Sequence, residues 1–147
     1  MGSGSWGTAL VKILMENSEV HVDWWVRSAE TADHINTKGR NPKYLRSVKL
    51  DTARLTAGNN AVELVVANDI ILLVTPSAFV SDILDQLSNE QLAGKKIISA
   101  IKGVEPNSLK IVGEYLFENK GVSQDDFGVI TGPCHAEEVA QEKLSYL

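Results

Sequence analysis

Gly2-Ser3-Gly4-Ser5-Trp6-Gly7 is the stretch on which the fold turns. Its glycines stand in the spacing G-x-G-x-x-G, and each has its own physical use. The first makes a tight turn, the second lets main chain come close to a pyrophosphate, and the third lets a helix pack closely on a strand. The residues that follow, Thr8-Ala9-Leu10-Val11-Lys12-Ile13-Leu14-Met15, are apolar around most of a helical circumference. That pattern predicts a helix from Ser5 onward, buried against a sheet. Free N–H groups at its start, assisted by the helix dipole, suit an anionic ligand. Met-Gly-Ser-Gly-Ser also reads as a flexible linker, but the buried-type helix that follows at once favours the turn.

Outward from the loop, strands and helices alternate. Val20-His21-Val22-Asp23-Trp24-Trp25-Val26 is short and β-rich and predicts a strand. Ser28 is placed to cap a helix through Ile35, with Gly39 ending it. Asn41-Pro42 marks residues 40–47 as loop or broken helix. A short strand is predicted over 54–57 and a helix over 59–66. Asp69-Ile70-Ile71-Leu72-Leu73-Val74 is a continuous aliphatic run, as in a parallel strand buried on both faces. A helix follows over 77–87 with Val80, Ile83, Leu84 and Leu87 on one face, then a strand over 96–101. The remaining elements are a helix over 109–118 with Ile111, Val112, Tyr115 and Leu116 inward, a strand over 127–130, and a helix opening within 137–143.

This order predicts an α/β fold, a doubly wound and mainly parallel sheet of Rossmann type with helices on both faces. A glycine loop of this kind follows a strand at the middle of such a sheet, and only Met1 precedes Gly2. The first strand is therefore expected to be missing from the chain as given. Residues 1–147 are read as a single nucleotide-binding domain truncated at that strand.

Composition narrows the function classes. The chain is ordinary globular in its 44% hydrophobic and 22% charged residues, and carries a formal net charge of −5. Lys and Arg are not gathered into a block, which argues against a nucleic-acid surface. Cys134 is the one cysteine, so no intramolecular disulfide forms, in keeping with a reducing cytoplasm. The longest apolar run, residues 70–74, is far short of the roughly 20 residues of a membrane span. A cytoplasmic protein is expected, and no residue is assigned to a metal.

The position that names the cofactor's ribose is informative. Rossmann domains that bind NAD place an acid about 20 residues past the loop. Arg27 stands there instead, and Asp23 falls too early, inside the predicted strand. A guanidinium at that point suits the 2′-phosphate of NADP or an adenine face.

Gly4-Ser5-Trp6-Gly7-Thr8-Ala9-Leu10 resembles the G-S-W-G-T-A-L opening of the bacterial-type NAD(P)-dependent glycerol-3-phosphate dehydrogenases. Further segments similar to that family follow in its order: Trp25-Val26-Arg27, Tyr44-Leu45, Thr75-Pro76-Ser77 and Lys102-Gly103-Val104-Glu105. The last, Gly132-Pro133-Cys134-His135-Ala136-Glu137-Glu138-Val139-Ala140, is similar to the family's G-P-S-[FH]-A-E-E-V-A. The resemblance implies reversible reduction of dihydroxyacetone phosphate to sn-glycerol 3-phosphate with NAD or NADP, in glycerophospholipid supply. The loop motif puts Gly2, Gly4 and Gly7 at the cofactor, and the resemblance implies further cofactor contacts at Ser5, Trp6, Arg27, Lys102 and Ala136, and substrate contacts at Lys102, Gly132 and Cys134. It also implies an all-helical C-terminal substrate domain, absent here, that carries the proton-transferring lysine; a homodimer of the full-length enzyme is left open.

Some of these roles have a physical rationale of their own. Lys102 follows a predicted strand, where ligands of open α/β sheets collect, and an ammonium there can attract a phosphate or polarise a ketone. Gly132 also follows a strand and lets substrate approach the backbone.

Three positions depart from the family pattern. Cys134 replaces a serine and is read as a small, inert, buried thiol, a weaker donor than a hydroxyl. Arg46 replaces a proline, which is expected to loosen its loop, and Thr75 replaces a valine. His135 is read as a packing residue in preference to a general acid. Two other classes compete: a related β-hydroxyacid or ketopantoate-type reductase, against which the Gly132–Glu138 segment argues, and a nucleotide-binding redox sensor without turnover.

Overall fold

The computed structural model describes residues 1–132 and 134–144. In chain order the elements are α1 (Ser5–Leu14), β1 (Val22–Trp25), α2 (Ala29–Lys38), β2 (Leu55–Gly58), α3 (Ala61–Ala67) and β3 (Ile70–Leu73). They continue with a 3₁₀ turn (Ser77–Phe79), α4 (Val80–Leu84), α5 (Asn89–Leu92), β4 (Lys96–Ser99) and α6 (Val112–Lys120). A second 3₁₀ turn (Gln124–Asp126), β5 (Phe127–Val129) and α7 (Ala136–Ala140) complete the order. All strand pairings are parallel, β1 with β2 and β3-β4-β5 in turn, so the domain is a Rossmann-type α/β fold. The single expected sheet is divided into a two-stranded and a three-stranded one. Among the described residues no strand precedes Gly2.

The chain falls into two compact units. One comprises Met1–Asn59 with Thr131–Leu147 and the other Asn60–Ile130. In the first, β1 and β2 are paired from Val22 opposite Leu55 to Trp25 opposite Gly58. Their apolar faces meet Val11 of α1 and Met15 just after it, Ala32 and Ile35 of α2, and Leu50 around the fully buried Trp24 and Val26. Helix α2 begins where Ser28 accepts the N–H of Thr31 and ends at Gly39 in the left-handed conformation (φ 61°). Both signals were in the sequence, although the helix runs three residues beyond Ile35. Helix α7 packs against α1.

In the second unit β3, β4 and β5 lie in register, with Ile71 and Leu73 buried beside Ile97 and Ser99. Val80, Ile83, Leu84 and Leu87 are all buried, as their spacing predicts. They are carried by a 3₁₀ turn, a short α-helix and a turn, however, and not by one helix over 77–87. The strand over 70–74 is not buried on both faces: Ile70 is 63% exposed, and the run alternates from there. Helix α6 starts at Val112 and not at 109, because Leu109 adopts a left-handed conformation (φ 58°). Ile111 thus becomes the cap and is exposed, contrary to the inward position its spacing suggests. Among the described residues no helix is long and apolar enough to cross a membrane.

Candidate functional site

Arg27 lies just past β1, Lys102 past β4 and Gly132 past β5, and each unit carries candidate residues of its own. In the first unit the glycine loop is fastened to β1. Gly2 N–H donates to the Trp25 carbonyl (3.1 Å), and the buried Trp24 indole Nε1 donates back to the Gly2 carbonyl (2.8 Å). Gly2 has φ 120°, a region that side chains resist, which is the turn its place in the motif requires. Gly4 then caps α1 with no side-chain hydrogen bond to the helix's first N–H groups. A Cβ built at Gly4 would meet nothing within 4 Å, so protein packing does not require glycine there. The space over Gly4 and the uncapped start of α1 are what an approaching phosphate needs.

Arg27 is exposed and lies two residues past the end of β1, between the fully buried Val26 and the cap Ser28. Trp25 turns its indole Nε1 onto the Asn59 carbonyl (3.1 Å), beyond the end of β2. Asp23 lies inside β1, as expected. Gly132 and Cys134 belong to the same unit, with Pro133 outside the described residues, and Ala136 is the first residue of α7. Cys134 is half-buried, not buried as expected. His135 is exposed and does not pack. Its contribution is through main chain, its carbonyl accepting the N–H groups of Glu138 and Val139 at the start of α7.

The segment around Arg46 is held by Arg40, whose Nη1 donates to the carbonyls of Arg46 (3.0 Å) and Ser47 (2.6 Å). Sequence reasoning passed over Asn41 in that same segment. Its side chain is 1% exposed and reaches back to the glycine loop, donating to the Ser3 carbonyl and to the Thr8 hydroxyl (2.9 Å each). Asn41-Pro42 signalled a turn; nothing local signalled a contact with residues 33 and 38 positions away.

In the second unit Thr75–Ser77 follows β3 and Lys102–Gly103 follows β4, so both emerge at one sheet edge. They lie close together: a Cβ built at Gly103 (φ 101°) would stand 3.1 Å from the Ser77 hydroxyl. Lys102 is exposed. Its turn is anchored by Glu105, 1% exposed, whose carboxylate accepts from Ser108 N (2.7 Å), Ser108 Oγ (2.7 Å), Asn107 N (3.1 Å) and Asn107 Nδ2 (3.0 Å). These donors, led by the Ser108 main-chain N–H and joined by the Ser81 side chain, hold the Glu105 carboxyl down to about 2.

The family described as the NAD-dependent glycerol-3-phosphate dehydrogenase N-terminus matches residues 1–147. The chain belongs to that family. It is 36% identical over 140 residues to the glycerol-3-phosphate dehydrogenase [NAD(P)+] of Oceanobacillus iheyensis, covering 95% of this chain and 40% of that protein. Its fold matches the glycerol-3-phosphate dehydrogenase of Saccharomyces cerevisiae with a TM-score of 0.82 at 30% identity, over 96% of this chain and 43% of that one. The Coxiella burnetii glycerol-3-phosphate dehydrogenase matches with a TM-score of 0.81 at 26% identity, over 95% and 42%. The chain spans 40–44% of the length of the relatives most similar in sequence.

Proposed function

We propose that this chain is the cofactor-binding half of an NAD(P)-dependent glycerol-3-phosphate dehydrogenase, which interconverts dihydroxyacetone phosphate and sn-glycerol 3-phosphate. The observation that carries the reading is the glycine loop: turned at Gly2, open over Gly4 and leading into an uncapped helix. These features fit a dinucleotide pyrophosphate. Family membership supplies the reaction.

On this reading Gly2, Gly4, Ser5, Trp6 and Gly7 hold the pyrophosphate region, Arg27 takes the adenosine end and Ala136 is a further contact. The bound nicotinamide supplies the hydride. Lys102 contributes positive charge toward the substrate's phosphate or its developing alkoxide, and Gly132 and Cys134 line the substrate. The main chain of Gly132 suits that role better than the Cys134 thiol, a weak donor. A helical C-terminal domain supplies the proton-transferring lysine and most phosphate ligands. The full enzyme acts in the cytoplasm on small molecules and binds neither nucleic acid nor membrane; a homodimer is compatible with this reading.

The test is direct. NADH and NADPH binding is measured on this chain and on the full-length protein, and NAD(P)H oxidation with dihydroxyacetone phosphate is followed spectrophotometrically. Binding is expected, with turnover only when the C-terminal domain is present, since well-oriented geometry contributes about 7–11 kcal/mol. Binding by the full-length protein without turnover would favour a redox-sensing module. Turnover of a β-hydroxyacid in place of the triose phosphate would favour the related reductases.

A further inference from the structure

We infer that Asn41 is a positioning residue for the dinucleotide loop, setting the shape of residues 3–8 before any nucleotide arrives; the inference rests on the cofactor-binding reading above. An asparagine amide has two N–H donors and an oxygen with two lone pairs. In this structure all four capacities are used. Nδ2 donates to Ser3 O and Thr8 Oγ1 (2.9 Å each), and Oδ1 accepts from Lys43 N (2.9 Å) and Tyr44 N (3.2 Å). The Thr8 hydroxyl, itself fully buried, passes the chain on by donating to Gly4 O (3.0 Å), which also accepts the first helical bond from Thr8 N (2.9 Å). Two consecutive loop carbonyls, Ser3 and Gly4, are thereby held from the protein side. Gly4 has no side chain to hold and open space beyond it, so without this tie the Ser3 carbonyl loses its side-chain donor, and the loop keeps the Gly2 bonds and the main-chain bond from Thr8 N to Gly4 O.

The consequence for binding follows from the cost of order. Glycines in a free loop sample many conformations, and a ligand that must select one binds more weakly by the fraction of competent loop. A buried amide that fixes Ser3 and Gly4 in advance removes that penalty. Asp at position 41 keeps the shape and the acceptor but removes both donors and sets a carboxylate against the Ser3 carbonyl. Val at position 8 removes the hydroxyl relay with little change of shape.

The experiment uses the full-length protein with Asn41→Asp and Thr8→Val, and Thr8→Ser as the conservative control. Dissociation constants for NADH and NADPH are taken from tryptophan-to-nicotinamide energy transfer, and amide hydrogen exchange is followed peptide by peptide without nucleotide. Asn41→Asp and Thr8→Val are expected to weaken the preferred nucleotide about tenfold or more. Exchange should rise at residues 3–8 and stay unchanged in β3, β4 and β5, while Thr8→Ser keeps near-normal affinity. Unchanged affinity in Asn41→Asp, with the unsubstituted protein binding normally, overturns the inference alone. Exchange rising throughout the fold in both variants also overturns it, since the residue would then be merely structural. Failure of the unsubstituted protein to bind either nucleotide sinks the cofactor reading and this inference with it.

Discussion

Two loops carry candidate site residues, and each hangs on one buried polar side chain, but the two side chains work over different distances. Asn41 joins its own segment to residues 33 and 38 positions earlier in the chain. Glu105 gathers donors from Asn107 and Ser108, two and three positions on. The amide both donates and accepts, so it can bridge two pieces of main chain that each need a partner. The carboxylate only accepts, so it can close a turn whose N–H groups converge but cannot hold a carbonyl. The glycine loop is therefore shaped by tertiary structure, and the Lys102 turn chiefly by its own sequence. The first should fail when distant backbone moves, and the second chiefly when its own groups are changed, with the Ser81 hydroxyl a distant donor to Glu105.

The largest expected effect breaks the distant support. Gly39 starts the segment that carries Asn41, and its carbonyl accepts the N–H of Leu50 (2.8 Å). A Cβ there would stand 2.6 Å from the Leu50 carbonyl oxygen, a backbone atom, at a φ of 61°. Gly39→Ala is expected to lower stability by about 2–4 kcal/mol, the left-handed strain plus the forced backbone shift. Thermal unfolding of the full-length protein measures it. The same variant should raise amide exchange in residues 3–8 but not in residues 105–110; the reverse order would break the contrast between the loops.

Next in size is Arg27→Ala, which sharpens the contrast at the ligand end of the first unit. If the guanidinium meets a 2′-phosphate, NADPH affinity falls about tenfold, near 1.4 kcal/mol, and NADH affinity is little changed. Equal losses for the two nucleotides would point to stacking on adenine. Titrations of both cofactors side by side decide between them.

The contrast between the loops also accounts for what was legible beforehand. Ser28 with Thr31 and Gly39 after α2 are short-range signals, and both ends of that helix follow from them. Helix α5 carried such a signal in the reciprocal Ser88 and Gln91 capping bonds, but at four residues it is too short to show an apolar period. The 70–74 run departs from its sequence expectation because composition says what a strand tolerates, whereas exposure of Ile70 depends on what packs over it. Helix α6 starts later than its periodicity suggests because Glu105 claims the Asn107 and Ser108 N–H groups for a turn, a competition invisible to periodicity. The glycine motif, Arg27 and Lys102 stood out by spacing and resemblance. Asn41 did not, since its partners are close only after folding.

A smaller effect tests packing in the second unit without touching either loop. Gly113 lies inside α6, where alanine ordinarily gains up to about 1 kcal/mol in helix propensity. Here a Cβ would stand 2.8 Å from Cε1 of Phe127, whose ring is edge-on to Phe117 at 5.4 Å between centroids. Gly113→Ala is expected to destabilise by about 1 kcal/mol net, overpacking outweighing the propensity gain. Chemical denaturation gives the sign, and a stabilised variant would show that the ring moves freely.

The response to acid separates the loops by chemistry alone. Glu105 is held at about 2 in the folded turn, against an ordinary 4.5. A carboxyl whose folded value is depressed contributes stability that is fully present above about 4.5 and is lost as pH falls toward 2. At pH 3 the folded turn still keeps its carboxylate mostly ionised, so the loss there is only partial. The Asn41 amide does not titrate and its bonds have no such dependence. Site-resolved amide exchange, corrected for its intrinsic pH dependence, should therefore show protection at residues 107–109 declining between pH 4.5 and 2.5. Protection at residues 3–8 should hold until global unfolding begins. In Glu105→Gln the turn is weaker at neutral pH, because one amide nitrogen now faces converging donors, but its protection should be flat across that window. A turn that keeps full protection down to pH 2.5 in the unsubstituted protein would mean that its hydrogen bonds do not depend on the charge of Glu105. The local, charge-centred account of the Lys102 loop would then fall, leaving packing as its support.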